Sequence, residues 1–365
     1  MLSGNRSAVV YAWLIGQDDN VGDTVLRREY ASALRQRGPL VVYVGWVNDG
    51  FVEGLQLEPG DRVFRKYLPW ALSALRATLS HRVTIAINSG EFALSRLFAL
   101  MALVLIPVAK LAKFRGGDVV WLGAAVPAPA RAGLGWIFRG LFKTTDLVRW
   151  RDLGSSACLA PADWMPDWAF AVKGGSASWA RRHTIGVSLR FDRPYPSGEW
   201  LEAVRSLAGR LGLEIVAIAQ VERDTPYAER LARELGGRVV PFAGGSHSVQ
   251  ERIVRNEYAD MRLMLSDRLH GLIMAATEGA VPLGWCEAST EKLSRHLGPM
   301  GLEWATTDRS RVAESLRTLD DERLDRFSAE LRTAINQGTA EINHVRELVA
   351  LGNHREAPLG QGVHL

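Results

Sequence analysis

The stretch Tyr258–Gly284, YADMRLMLSDRLHGLIMAATEGAVPLG, decides how the rest of the chain is read. Its apolar run Met261-Arg262-Leu263-Met264-Leu265 has the length of a buried parallel strand. The polar cluster Ser266-Asp267-Arg268-Leu269-His270-Gly271 follows, then a helical pattern through Leu272, Ile273 and Ala276 that stops before Pro282. Val281-Pro282-Leu283-Gly284-Trp285 reads as the next strand. Polar groups at the carboxyl end of a strand and the start of a helix are where open α/β sheets bind ligands. There Arg268 and His270 can meet an anion at a helix N-terminus. The competing reading is that Ser266 and Asp267 only cap the helix and Arg268 is solvated. Residue types alone leave both open.

Working outward, the second half alternates strands with helices. Strands are expected at Thr184–Leu189, Glu214–Ala219, Arg238–Pro241, Met261–Leu265 and Val281–Trp285. Helices are expected at Ser197–Leu211, Tyr227–Leu235, Val249–Tyr258, Leu269–Glu278 and Thr290–His296. That alternation predicts an α/β fold with a doubly wound parallel sheet. A charged helical tail from Asp308 to Leu351 and a loose end complete this half.

The first half opens the same way. Ala8–Ile15 reads as a strand, the loop Gly16–Thr24 carries Asn20, Gly22 and Asp23, and Val25, Leu26, Tyr30 and Leu34 mark one helix face. Gly22 can let the backbone approach a ligand, with Asn20 and Asp23 as polar contacts; an ordinary helix cap is the alternative, and the motif alone favours it. Val41–Val44, Arg82–Asn88 and Val119–Gly123 read as further strands, Leu134–Phe142 as a helix and Thr145–Val148 as a short strand. The most apolar segment, Phe92–Phe114, reads as a buried or half-buried crossover helix; contact with a membrane face is its minority reading. The best linker is Lys173–Ser178. It divides the chain into domains at 1–172 and 179–350, with a flexible tail at 351–365.

Bulk properties agree with two domains: 365 residues are long for one core. Hydrophobic content of 47% and charged content of 23% are ordinary for a globular protein. A net charge of +4 and a pI near 9.2 suit an anionic substrate or a membrane face, and fall short of a nucleic-acid-binding signature. Cys158 and Cys286 belong to no motif, which fits a reducing compartment and no disulfide scaffold. The apolar N-terminus fits a first strand better than a signal peptide. The expected location is cytoplasmic, with a peripheral place at the inner face of the membrane as the option.

Four segments resemble the polysaccharide pyruvyltransferase family. The first is Ser266-Asp267-Arg268-Leu269-His270-Gly271, followed at family-like spacing by Ala275, Pro282, Lys292 and Leu297-Gly298. Asn20-Val21-Gly22-Asp23 with Leu26 is the second, and Gly186-Val187-Ser188-Leu189-Arg190 the third. Arg151-Asp152 with Ser155 or Ser156, then Asp167-Trp168-Ala169-Phe170, is the fourth. Trp168 stands where the family often has proline, and the loop Asn88–Glu91 has one glycine where members usually carry a run.

The resemblance implies two Rossmann-like domains facing a cleft, as in the GT-B arrangement, with the acceptor on the N-terminal side and the donor on the C-terminal side. It implies transfer of pyruvate from phosphoenolpyruvate onto two sugar hydroxyls, giving a cyclic ketal and phosphate. The co-substrate brings a carboxylate and a phosphate, so cationic forks are needed. Arg190, Arg268 and Leu269 are the expected donor contacts, Lys292 a phosphate or acceptor contact, and Asn20 and Gly22 line the opposite loop; His270 is the expected acid, with phosphate binding or a structural role orienting the loop as its alternatives, and Asp23 is a candidate base. For Asp23 a helix-capping role is equally open; Asp267 is expected as a cap or an Arg partner, and His247 as a surface residue. No metal motif appears, so neither a metal nor a resident cofactor is expected. The partners are phosphoenolpyruvate and a saccharide acceptor, free or lipid-linked. The alternative is a GT-B-type glycosyltransferase using a nucleotide sugar. A third class is a non-catalytic scaffold held at a membrane by Phe92–Phe114.

Overall fold

The computed structural model describes residues 7–130, 133–175, 179–286 and 292–352, and most of the expected loose end lies outside them. The N-terminal half runs β1 (Ala8–Trp13), α1 (Val21–Arg35), β2 (Leu40–Tyr43), α2 (Asp49–Gly54), β3 (Arg62–Phe64), α3 (Tyr67–Ala77) and β4 (Arg82–Ile87). It continues through β5 (Gly90–Glu91), α4 (Arg96–Phe114), β6 (Asp118–Ala125), α5 (Gly135–Phe142), β7 (Leu147–Trp150), α6 (Gly154–Cys158) and β8 (Asp163–Trp164). A 3-10 turn at Trp168–Ala171 ends this half. The C-terminal half runs β9 (Thr184–Ser188), α7 (Gly198–Leu211), β10 (Glu214–Ile218), α8 (Thr225–Leu235), β11 (Arg238–Val240), α9 (His247–Ala259) and β12 (Met261–Ser266). It ends with α10 (Leu269–Thr277), β13 (Val281–Cys286), α11 (Lys292–Leu297), β14 (Thr306–Asp308), α12 (Val312–Arg317) and α13 (Asp321–Leu351).

Both sheets are parallel, in the orders β3-β2-β1-β4-β6-β7-β8 and β11-β10-β9-β12-β13-β14. Each order reverses once, between β1 and β4 and between β9 and β12, and such reversals open a crevice at the strands' carboxyl ends. The fold class is therefore α/β, two Rossmann-like domains facing a cleft. Register places the second crevice closely: Ser188 pairs with Ser266 across β9 and β12. Arg190 and Arg268 each lie two residues beyond that pair.

The half-buried reading of the apolar segment holds, with a later start. Ser95 caps α4 by accepting from the Phe98 amide, while Phe92 and Leu94 are buried ahead of it. The expected helical tail is three elements, because Thr306–Asp308 adds to β13 as an edge strand and the chain breaks again before Asp320 caps α13. Helix α13 then runs back to the first half, where Arg346 bonds Glu29 and Arg37 donates to the Val349 carbonyl. Behind the cleft, Val25 and Tyr30 of α1, Trp168 and Phe170 of the turn, Leu272 and Ile273 of α10, and Ile342 and Val345 of α13 share one buried cluster. The halves thus share a core.

Candidate functional site

A cavity of about 480 Å³ opens between the sheets, lined by loops that follow strands. The N-terminal half supplies Gly16, Gln17, Asn20, Asp23, Arg27, Asn88, Glu91 and Arg151; the C-terminal half supplies Arg190, Arg193, Gln220, Arg223, Asp267, Arg268, Leu269, His270, Lys292 and Arg309. Cationic side chains outnumber the three carboxylates on this wall, although Arg27, Arg151, Arg190, Arg223, Arg268 and Lys292 each pair with a carboxylate. All eight site residues expected from sequence except Gly22 line it, and Gly22 lies directly behind His270.

His270 sits in the first turn of α10, nearly buried between two carboxylates. Its Nδ1 is 3.8 Å from Asp23 Oδ1 and its Nε2 is 3.6 Å from Asp167 Oδ2. These are charge contacts beyond hydrogen-bond length, and Nε2 is a buried nitrogen without a partner among the described residues. Burial pushes Asp167 up, but the Arg151 guanidinium beside it prevails and holds the carboxyl far below its usual range. Asp23 is likewise pushed up by burial and brought below its ordinary value by Arg27, His270 and the Gln17 amide, which donates to it at 2.9 Å. Both carboxylates are therefore anions at neutral pH, one on each side of the imidazole.

The loop before α1 uses its residues as the cap reading requires while still facing the cavity. Asn20 Oδ1 accepts the Gly22 amide at 3.1 Å. Gly22 is required by close approach: a Cβ there would lie 2.2 Å from His270 Cβ. The N-termini of α1 and α10 thus meet at the imidazole.

The arginines depart from expectation. The Arg268 fork lines the cavity but is largely taken: its Nε and Nη2 bond Asp224 at 2.7 and 2.6 Å, and only Nη1 makes no hydrogen bond among the described residues. Asp224 follows β10, and its Oδ1 also accepts the Phe191 amide, so the pair ties three strand ends together. Arg190 is held by Asp192 at 2.9 and 2.7 Å in a partly exposed pair. Lys292 reaches across the cleft to Glu91 at 2.6 Å. Asp267 is not a helix cap; it partners arginine through the backbone, accepting the Arg190 amide at 2.8 Å and making no side-chain hydrogen bond to arginine among the described residues, while Ser266 Oγ accepts the Arg268 amide. His247 is not a surface residue. It is buried, with Nδ1 2.6 Å from Thr24 Oγ1 and Nε2 2.8 Å from the Asp18 carbonyl, and pins the halves together on one side of the cleft.

Sequence reasoning gave no role to Arg27, Asp224 or His296. Arg151 and Asp167 lay within quoted segments but were given none either; their pairing joins positions 16 residues apart, which spacing alone does not reveal. Burial, then the nearby Arg151, keep the His296 imidazole neutral, its pKa well below the usual value, while its Nδ1 contacts the Lys292 carbonyl. Among the described residues no group of three or more His, Cys, Asp or Glu is placed to hold a metal ion.

Asp267 offers a test of these electrostatics. Burial pushes its carboxyl from 3.8 up to about 6. A raised folded-state pKa stabilises the fold fully below about 3.8, and that contribution is lost as pH rises through about 6. Asp267→Asn is therefore expected to flatten the pH dependence of stability between these limits, by on the order of 2 kcal/mol after solvent screening. Denaturant midpoints of both proteins at pH 4 and 7 measure it; parallel curves would refute it.

No protein-family model matches the chain, and no curated protein matches it in sequence. Solved structures do resemble it. HepE from Anabaena in complex with UDP and glucose superposes with a TM-score of 0.61 at 12% identity, covering 94% of this chain and 98% of that one. A putative UDP-N-acetylglucosamine 2-epimerase from Listeria monocytogenes gives 0.58 at 12%, covering 96% and 97%. The S. aureus MnaA–UDP structure gives 0.54 at 12%, covering 97% and 100%. At such identity the likeness shows the fold: the GT-B arrangement of two facing parallel-sheet domains.

Proposed function

We propose that this chain transfers the pyruvyl group of phosphoenolpyruvate onto two hydroxyls of a saccharide. The observation that carries the reading is His270, a buried imidazole between two ionised carboxylates in an arginine-lined cavity. A small donor with a phosphate and a carboxylate matches that wall of charge. Arg190, Arg268 through Nη1, and Lys292 are the donor contacts. Protonation of the donor's methylene carbon by the imidazolium makes the neighbouring carbon electrophilic. One acceptor hydroxyl adds there, the bond to phosphate oxygen breaks, and the second hydroxyl closes the ketal. One hydroxyl proton balances the new methyl group and the other leaves with phosphate. Asp23 and Asp167 stabilise the charged imidazole and the cationic carbon beside it. The reaction as written draws on no metal and no resident cofactor.

A second reading is transfer from a nucleotide sugar. It is favoured by the fold neighbours, since HepE and MnaA are solved with UDP. A further feature suits it: a chamber of about 330 Å³ with Tyr195, Trp200, Tyr227 and Trp285 on its wall shares Asp267 and Arg309 with the main cavity and can take a planar ring.

Thermal unfolding separates the two. Phosphoenolpyruvate at one hundred times its dissociation constant is expected to stabilise the protein by about 2.7 kcal/mol, with no rise from UDP or GDP. A rise with UDP and none with phosphoenolpyruvate would transfer the assignment to the second reading. Phosphate release from phosphoenolpyruvate with free and lipid-linked oligosaccharides then identifies the acceptor.

A further inference from the structure

The N-terminal sheet has two unlike faces. Helices α1 and α2 cover the face toward the cleft, and α3, α4 and α5 cover the other. A helix on the outside of a globular protein buries one stripe and shows polar residues on the other. Helix α3 buries Trp70, Ala71 and Ala74, yet its outer stripe is Leu68, Leu72 and Leu75, continued by Leu79, and all four are exposed. Helix α4 buries Ala102, Leu105, Val108 and Ala109 against the sheet, and its outer stripe is Leu97, Leu100 and Leu103, ending in Phe114. On α5, Trp136 is 62% exposed. These three helices pack side by side, so the apolar residues form one surface rather than scattered points. Continuous apolar surface of this kind marks an interaction site.

Charge identifies the occupant. The sequences of α3, α4 and α5 contain no Asp or Glu, but carry Arg76, Arg96, Lys110, Lys113 and Arg139. Between α4 and α5 a groove of about 470 Å³ is lined by Lys110, Lys113, Lys143 and Trp136. Lys113 pairs with Asp146 at 2.7 Å, whereas Lys110 and Lys143 have no ion pair among the described residues. A second copy of the chain related by a two-fold axis would set this positive face against itself. Leucines framed by lysines and arginines, with a tryptophan at the boundary, match an anionic lipid surface.

We infer that the α3–α4–α5 face docks onto an anionic phospholipid bilayer, with the exposed leucines in the headgroup–acyl boundary and the lysine groove on lipid phosphates. Helix α4 has the length and mean hydropathy of a membrane span, at 19 residues and 2.1. Its inner stripe is committed to β4 and β6, so it lies in the membrane plane. The docked face is opposite the helices that border the cleft, so docking leaves the cleft uncovered. The inference does not depend on the identity of the donor.

Flotation of the full chain with vesicles of phosphatidylcholine, with and without phosphatidylglycerol, tests it. Binding to the anionic vesicles is expected, with weak binding to neutral ones and release at high salt. Leu72→Gln with Leu100→Gln, and separately Lys110→Gln with Lys143→Gln, are expected to lower the partition coefficient by at least about tenfold with the unfolding midpoint unchanged. Failure to bind anionic vesicles overturns the inference, as does equal binding by both variants. Competition by millimolar inorganic phosphate would reduce the groove to a free-anion site and also overturns it. Self-association lost in the leucine variant, without vesicle binding, would assign the face to a second copy instead.

Discussion

Under the proposed pyruvyl transfer, Gly22→Ala is expected to lower phosphate release from phosphoenolpyruvate by about a hundredfold or more. Alanine ordinarily improves a helix, by up to about 1 kcal/mol over glycine. Here the added methyl carbon would stand 2.2 Å from His270 Cβ, 2.5 Å from Cγ and 2.7 Å from Nδ1. His270 Cβ is fixed by the backbone of α10 and cannot swing aside, so α1 must retreat or the imidazole must turn. Either motion breaks the approach of Nδ1 to Asp23, and a displacement of about 1 Å costs about a hundredfold in rate. Overpacking adds about 1–3 kcal/mol of destabilisation, against the gain from propensity. Gly198→Ala is the control, because a Cβ there meets nothing within 4 Å. The decisive measurements are turnover, the melting midpoint and the NMR titration of His270. Wild-type turnover with an unmoved His270 resonance would show that the contact of the two helices has no part in the chemistry.

The parts legible in sequence were those with periodicity. Met261–Leu265 reads as a strand because five mostly apolar residues precede a polar cluster, and it is β12. Val25, Leu26, Tyr30 and Leu34 are all buried on α1, as their spacing requires. The segment from 49 to 77 was not resolved into elements from sequence: α2 has six residues, β3 has three, and α3 is apolar on both faces, so no amphipathic pattern marks it. Partner choice was also illegible. Arg268 could be placed at a strand end from residues 261–270, but the carboxylate it bonds stands 44 positions earlier. His247 looked like a surface residue because its partners, Thr24 and the Asp18 carbonyl, lie in the other half of the chain. Gly22 reads as a place where the backbone approaches a ligand or as part of a helix cap, whereas what comes close to it is the His270 side chain, a tertiary contact that the sequence does not show.

Asp167→Asn is expected to destabilise the protein by about 3–5 kcal/mol, lowering the unfolding midpoint by on the order of 10 °C. Arg151 is 1% exposed and its guanidinium bonds Asp167 directly, while Arg151 Nε is a buried donor without a partner among the described residues. Removing the carboxylate leaves an uncompensated buried cation, which costs far more than an intact pair contributes. The pH dependence follows from the direction of the shift. Arg151 holds the Asp167 pKa far below 3.8 against the effect of burial, so its stabilisation is present above that value and is lost as pH falls below it. The gap between wild type and variant should therefore be full at neutral pH and narrow in strong acid. The double variant Arg151→Met with Asp167→Leu removes both charges and is expected to regain most of the stability. It should not regain turnover, since Asp167 also faces His270 Nε2 at 3.6 Å. Recovery of stability without activity would assign the pair a role in the chemistry as well as in the core; recovery of both would leave it a packing feature, and His270 would then act with Asp23 alone.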